Sequence, residues 1–126
     1  MDKEQFNINV YSNDAKFCSS LAVECNKYGF ELTFFEEHDI GNKKLLESAL
    51  ISVVIIDLTE IKKIDPYMLG EKVRISSDLP VFGVLDRFNR ENQNRAKKCG
   101  FDLVFTKSML LKSIKEVVIH ISNEEE

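Results

Sequence analysis

The chain is poor in residues that interrupt regular structure. Only 2 prolines and 5 glycines occur in 126 residues, which excludes a collagen-like, low-complexity or disordered chain. Cysteine is scarce as well: Cys18, Cys25 and Cys99, an odd number without a Cys-x-x-Cys spacing. That usage reads as reduced thiols in a cytoplasmic protein, packed in or near a core. No apolar run approaches the ~20 residues that span a bilayer, so membrane insertion is not expected. The start, Met1-Asp2-Lys3-Glu4-Gln5, is too polar for a secretion signal. A positive field is lacking too, since 17 basic against 21 acidic residues leave a formal charge of -4. Direct binding of nucleic acid or of an anionic membrane is therefore disfavoured. Glycine-rich phosphate loops are absent, with Gly41, Gly70 and Gly83 isolated, which argues against nucleotide or flavin binding. His38 and His120 stand too far apart to offer zinc-ligand spacing.

What is there is ordinary globular material: 44% hydrophobic and 30% charged residues. A chain of this length buries roughly two thirds of its unfolded surface, enough for one core without staples. The expected domain covers residues 1–122, with 123–126 an acidic, solvated tail. Phe6 to Val10 alternates as a strand ending near Ser12-Asn13-Asp14, short polar residues suited to cap a helix. That helix runs from Ala15 to Tyr28 on Phe17, Leu21, Cys25 and Tyr28, and Gly29 stops it. Glu31 to Phe35 is a second strand, followed by the acidic turn Glu36-Glu37-His38-Asp39, and Lys43 to Leu50 a short helix. Ser52-Val53-Val54-Ile55-Ile56-Asp57 is nearly continuous in apolar, β-branched residues, as a strand covered on both faces should be. Leu79 to Leu85 forms a fourth strand with Pro80 near its start. Asn89 to Lys98 is an exposed, marginal fourth helix. Phe101 to Thr106 is the fifth strand, and Met109 to Ile121 the last, fifth helix.

Strands alternating with helices imply a three-layer α/β/α sandwich around a parallel sheet. In the common flavodoxin-like order 2-1-3-4-5, ligands bind where the ends of strands 1 and 3 lie side by side. Asp57 and Lys107 then converge on one crevice, a carboxylate facing an ammonium; the plainer alternative is a turn-capping aspartate and a solvated lysine.

Several residues taken in order resemble the CheY-like receiver domain of bacterial two-component response regulators. They are VVIIDL closing on Asp57, Leu79-Pro80-Val81, and Gly100-Phe101-Asp102 leading to Thr106-Lys107, together with the interval from Ser12-Asn13 to Lys27-Tyr28-Gly29-Phe30. The resemblance runs from Ile8 to Ile121. It implies that Asp57 stands at the phosphoacceptor position and Lys107 at that of the invariant lysine. The two metal-binding carboxylates that a typical receiver carries after strand 1 fall on Ser12 and Asn13. The backbone ligand falls on Thr59, the hydroxyl residue after strand 4 on Leu85, and the switch aromatic of strand 5 on Val104. Ser108 follows the lysine in place of the usual proline, and the Pro-x-Met-Asp-Gly turn is missing.

Magnesium demands anionic oxygens in near-octahedral geometry, and Ser12 and Asn13 supply an alcohol and an amide. Phosphoryl transfer without the metal lacks the charge that offsets the transferring oxygens. The expectation is a non-enzymatic pseudo-receiver, a phosphorylation-independent signalling module without metal or cofactor. Asp57 and Lys107 are then retained as an ion pair bridging strands 3 and 5. The alternative is a divergent phosphoacceptor using Asp57 with a weak Mg2+ site on Asn13, Asp14, Asp57 and Thr59. The partner would be another signalling or regulatory protein, or a second copy, docking on the face of helix 4, strand 5 and helix 5. Arg87, Arg90, Arg95, Lys97 and Lys98 make that region locally basic, either as a solvated face or as anchors for a partner.

Overall fold

The apolar run that closes on Asp57 becomes the middle strand of a five-stranded sheet in the computed structural model, which describes residues 6–40, 51–59 and 64–124. The elements are β1 (Phe6–Tyr11), α1 (Ala15–Tyr28), β2 (Glu31–Phe34), β3 (Ile51–Asp57) and α2 (Pro66–Ser76), then β4 (Val81–Leu85), α3 (Arg90–Lys98), β5 (Leu103–Thr106) and α4 (Lys107–Glu124). The fourth and fifth helices expected from sequence are thus α3 and α4. The helix expected at 43–50 lies outside the described residues. The acidic turn after β2 is a 3-10 turn, Glu37–Asp39.

The strand order is β2-β1-β3-β4-β5, and all four pairings are parallel. Register aligns the carboxyl ends: Tyr11 pairs with Ile56, Asp57 with Val84, and Leu85 with Thr106. Parallel neighbours need crossovers, and these cover both faces of the sheet. On one face Ile8, Val10, Val53 and Ile55 pack with Phe17 and Leu21 of α1 and with Leu110 and Ile114 of α4. On the other, Val54, Ile56 and Val81 pack with Tyr67, Leu69 and Val73 of α2, and with Ala96 and Phe101.

The alternation in β1 does not mark a solvent face, since Asn7 and Asn9 are 8% and 1% exposed. Their amides are satisfied internally. Asn7 Nδ2 donates to Asn9 Oδ1 (3.1 Å), Asn9 Nδ2 to the Val53 carbonyl (3.3 Å), and Thr33 Oγ1 to Asn7 Oδ1 (3.1 Å). Buried polar groups persist only when paired in this way.

Helix boundaries follow local chemistry. Asp14 caps α1 by accepting the Phe17 N–H (3.1 Å), and Gly29 ends it at φ 78°, the left-handed region that glycine tolerates. Sequence spacing alone assigns no helix to Pro66–Ser76, yet α2 carries a recognisable start. Asp65 accepts the Tyr67 N–H (2.9 Å) and Pro66 occupies the first turn. α4 begins at Lys107, two residues before the expected Met109, with Thr106 Oγ1 accepting the Met109 N–H (3.1 Å). β4 and β5 each start two residues later than expected, at Val81 and Leu103.

Candidate functional site

Asp57 ends β3 and is 1% exposed. Its two oxygens are fully engaged. Oδ1 accepts the Thr59 backbone N–H (3.0 Å) and the Thr59 hydroxyl (2.5 Å). Oδ2 accepts the Ser12 hydroxyl (2.6 Å) and lies 3.1 Å from Lys107 Nζ. A carboxylate offers about four lone-pair sites, and here four donors fill them. The buried charge is thereby compensated on every side.

Lys107 reaches into the crevice from the first residue of α4, its side chain 12% exposed. Its ammonium sits 2.9 Å from Asp14 Oδ2, 3.1 Å from Asp57 Oδ2 and 3.1 Å from Asp86 Oδ1. It also donates to Thr59 Oγ1 at 3.2 Å. Burial penalises the ammonium, but the hydrogen bonds it donates to Asp14, Asp86 and Asp57 outweigh that penalty, so the lysine is held protonated well above its ordinary range. The Lys107 hydrogen bond, helped by the Phe17 N–H, holds the Asp14 carboxyl below its ordinary value. The Phe17 ring lies beneath the same ammonium, 5.7 Å from its centroid.

The residues singled out by sequence divide into two groups. Asp57, Lys107, Ser12, Asp14 and Thr59 meet in the crevice. Asn13, between Ser12 and Asp14 in the chain, is exposed. Leu85 is 3% exposed and packs into the core of the α2 side. Val104 is half-buried against that same core and lines a cavity of about 360 Å³ between α3 and β5, with Gln93, Asn94, Lys97, Phe101, Asp102 and Leu103. Three partnerships escaped the sequence reading. Ser12 bonds Asp57 directly, the Thr59 side chain does so beside its backbone, and Asp86 is a third carboxylate on Lys107. A hydroxyl two residues after a strand-end aspartate is the local signal that points to the second.

Arg95, expected either as solvated or as a docking anchor, is committed within the chain. It pairs with Asp65 and stacks 4.2 Å from the Tyr67 ring centroid, tying α3 to the start of α2. The thiols fit packing roles: burial pushes Cys25 up to about 11 and raises Cys99. No three or more His, Cys, Asp or Glu side chains among the described residues are grouped to hold a metal ion. None of the described helices is long and apolar enough to cross a membrane.

No family model and no curated protein matches the chain. Solved structures do. A two-component response regulator from Clostridium difficile superposes with TM-score 0.80 at 16% identity, over 97% of this chain and 99% of that one. A response regulator receiver domain from Rhodospirillum rubrum gives 0.73 at 12% identity, over 92% and 93%. The signal receiver domain of a DNA binding response regulator from Colwellia psychrerythraea gives 0.69 at 19%, over 90% and 98%. Sheet order, the two helical layers and near-complete superposition lead to one conclusion: this chain has the CheY-like receiver fold of response regulators.

Proposed function

We propose that the protein is a phosphorylation-independent signalling module of the receiver fold, working through protein–protein contact and not through a catalysed step. In this reading residues 1–122 form one domain, 123–126 a tail, and the protein acts in the cytoplasm. The observation that carries it is the state of Asp57, whose oxygens already hold four donors. A nucleophilic carboxylate has to offer a lone pair to phosphorus, and here each is engaged. Releasing one breaks a charge-assisted hydrogen bond in a buried setting.

The donor set does not fit magnesium. The ion needs several anionic oxygens at about 2.0–2.1 Å. Ser12 gives an alcohol hydrogen-bonded to Asp57, Asn13 an exposed amide, and the Asp14 carboxylate is divided between the Phe17 N–H and Lys107. The alternative set Asn13, Asp14, Asp57 and Thr59 meets the same obstacle, because the ammonium stands among its carboxylates. Leu85 has no hydroxyl to offer a phosphoryl group, and Val104 no ring to swing.

The recognition face in this reading is α3, β5 and α4. Its apolar spots are Leu103 (48% exposed) and the Val104 wall of the cavity, with Lys97 on the rim. A partner seated there would gain from filling the cavity and pairing with the rim charge. The reading is tested by adding magnesium and beryllofluoride, which mimic a phosphorylated aspartate, and recording amide NMR spectra. Unchanged signals for β3, β5 and α3 are expected. Saturable shifts centred on Asp57 would overturn it in favour of a divergent phosphoacceptor.

A further inference from the structure

Two complementary features lie on opposite edges of the sheet, where β2 is one edge strand and β5 the other. Phe34, the last residue of β2, is 53% exposed. After the buried Phe35 come Glu36, Glu37, His38 and Asp39, and Glu31 at the start of the strand is exposed too. One exposed ring is ordinary on a protein surface, but here a receptor for it stands on the far edge. The cavity of about 360 Å³ between α3 and β5 has apolar walls in Phe101, Leu103 and Val104, with Lys97, Gln93 and Asn94 on its polar side. Asp102 also lines it, yet its carboxylate is engaged by the Val81 N–H (2.8 Å) and by Arg74 (3.2 Å). Residues 87–98 carry five basic side chains against one acid, Glu91, in a chain of formal charge -4. Arg95 is committed to Asp65, whereas Arg87, Arg90, Lys97 and Lys98 are exposed.

We propose that the partner is a second copy of this chain docked head to tail, Phe34 of one copy entering the α3–β5 cavity of the next while the acidic residues beside Phe34 meet the basic α3. The proposal rests on the protein–protein reading above and deepens it by naming the partner. An aromatic anchor in a pocket, rimmed by charges of opposite sign, is the anatomy of a specific interface. The ring supplies affinity, and the charges set orientation and make the contact sensitive to salt. Glu37 also pairs with Lys72 (3.0 Å), but both side chains are about half exposed, so that bond exchanges readily. Ring and cavity occupy different surfaces, which makes the contact heterologous. Because they lie on opposite edges, a dimer keeps one surface of each kind open, and growth continues until a ring closes.

The test is sedimentation velocity without magnesium or phosphodonor, from about 10 μM to about 1 mM protein. Wild type is expected to associate beyond a dimer, at least about tenfold more weakly in about 0.5 M than in about 0.05 M NaCl. Phe34→Ser, and Lys97→Glu combined with Lys98→Glu, are each expected to stay monomeric. Their equimolar mixture should form a 1:1 dimer that grows no further, since one copy keeps the ring and the other the cavity. A mixture that stays monomeric, or association that persists in either variant alone, overturns head-to-tail docking. Monomeric wild type throughout the range overturns self-docking and leaves the functional reading standing. Association that requires magnesium and beryllofluoride overturns both. Should a variant not fold, amide NMR spectra of wild type across the same concentrations decide the matter. Shifts at both 34–39 and 93–104 are expected; shifts at one edge alone, or none, contradict the proposal.

Discussion

Asp57 and Lys107 each satisfy several partners at once, so single substitutions at the crevice leave uneven remainders. Asp57→Asn keeps an acceptor for Thr59 but turns an amide toward Ser12 and the ammonium. Complete rupture of a buried pair costs about 3–5 kcal/mol. Since Asp14 and Asp86 still hold Lys107, a loss of about 1–3 kcal/mol is expected in urea titration. Stability equal to wild type would show that Asp57 contributes nothing to the cage. The acid limb is a second check. The Asp14 pKa is lower in the folded chain than its ordinary 3.8. Its contribution is therefore complete above that value and fades as pH falls through the folded-state pKa. Lys107 titrates higher when folded than its ordinary 10.5, so its share is complete below that value and fades only as pH rises past it. Urea midpoints measured between pH 2 and 6 should fall less steeply on the acid side for Asp14→Asn than for wild type. Identical slopes would mean that the Asp14–Lys107 pair is electrostatically inert. At this scale the convergence of Asp57 and Lys107 was legible only once the common strand order 2-1-3-4-5 was adopted, since periodicity does not give the order; the sheet has that order. The bonds from Ser12, Thr59 and Asp86 were not legible, because they depend on rotamers that no periodicity encodes.

Among the helices, α3 depends least on burial. Ala96 is its buried residue, and the helix rests on the Asn89 cap, the Arg95–Asp65 pair and the stacking of Arg95 over Tyr67. Arg95→Ala should leave the sheet intact while speeding amide exchange across 90–98 by roughly 5–30-fold, equivalent to about 1–2 kcal/mol of local stability. Exchange unchanged in that helix would mean the clamp does not hold it. α2 carries the opposite kind of constraint. A Cβ at Gly70 would lie 2.2 Å from Cζ of the Phe101 ring. Alanine normally gains about 1 kcal/mol over glycine within a helix, yet Gly70→Ala is expected to destabilise by about 1–3 kcal/mol through overpacking. A stabilised variant in thermal melting would show that Phe101 yields freely. The marginal nature of α3 was legible, because its segment has almost nothing apolar to bury. α2 was obscured by its exposed Met68 and Ile75, at 56% and 82%, which blur the apolar stripe. Its Asp65-Pro66 start was the better signal.

Across the whole molecule, five alternating elements and one β-branched central run fixed the layer architecture, and the parallel pairings set four strand ends at a common edge. That edge is where open α/β sheets bind ligands. In this chain the chemistry placed there is self-contained, a saturated aspartate and a lysine enclosed by carboxylates. Identities of 12–19% to the solved receivers described above accompany a preserved sheet, because the layers need only apolar volume in the right order. The crevice is less forgiving, since each substitution there changes which oxygens are charged. The most direct measurement is intact-mass analysis after incubation with acetyl phosphate or phosphoramidate and excess Mg2+. The account predicts an unmodified protein; a stoichiometric phosphoryl adduct on Asp57, lost in Asp57→Asn, would contradict it.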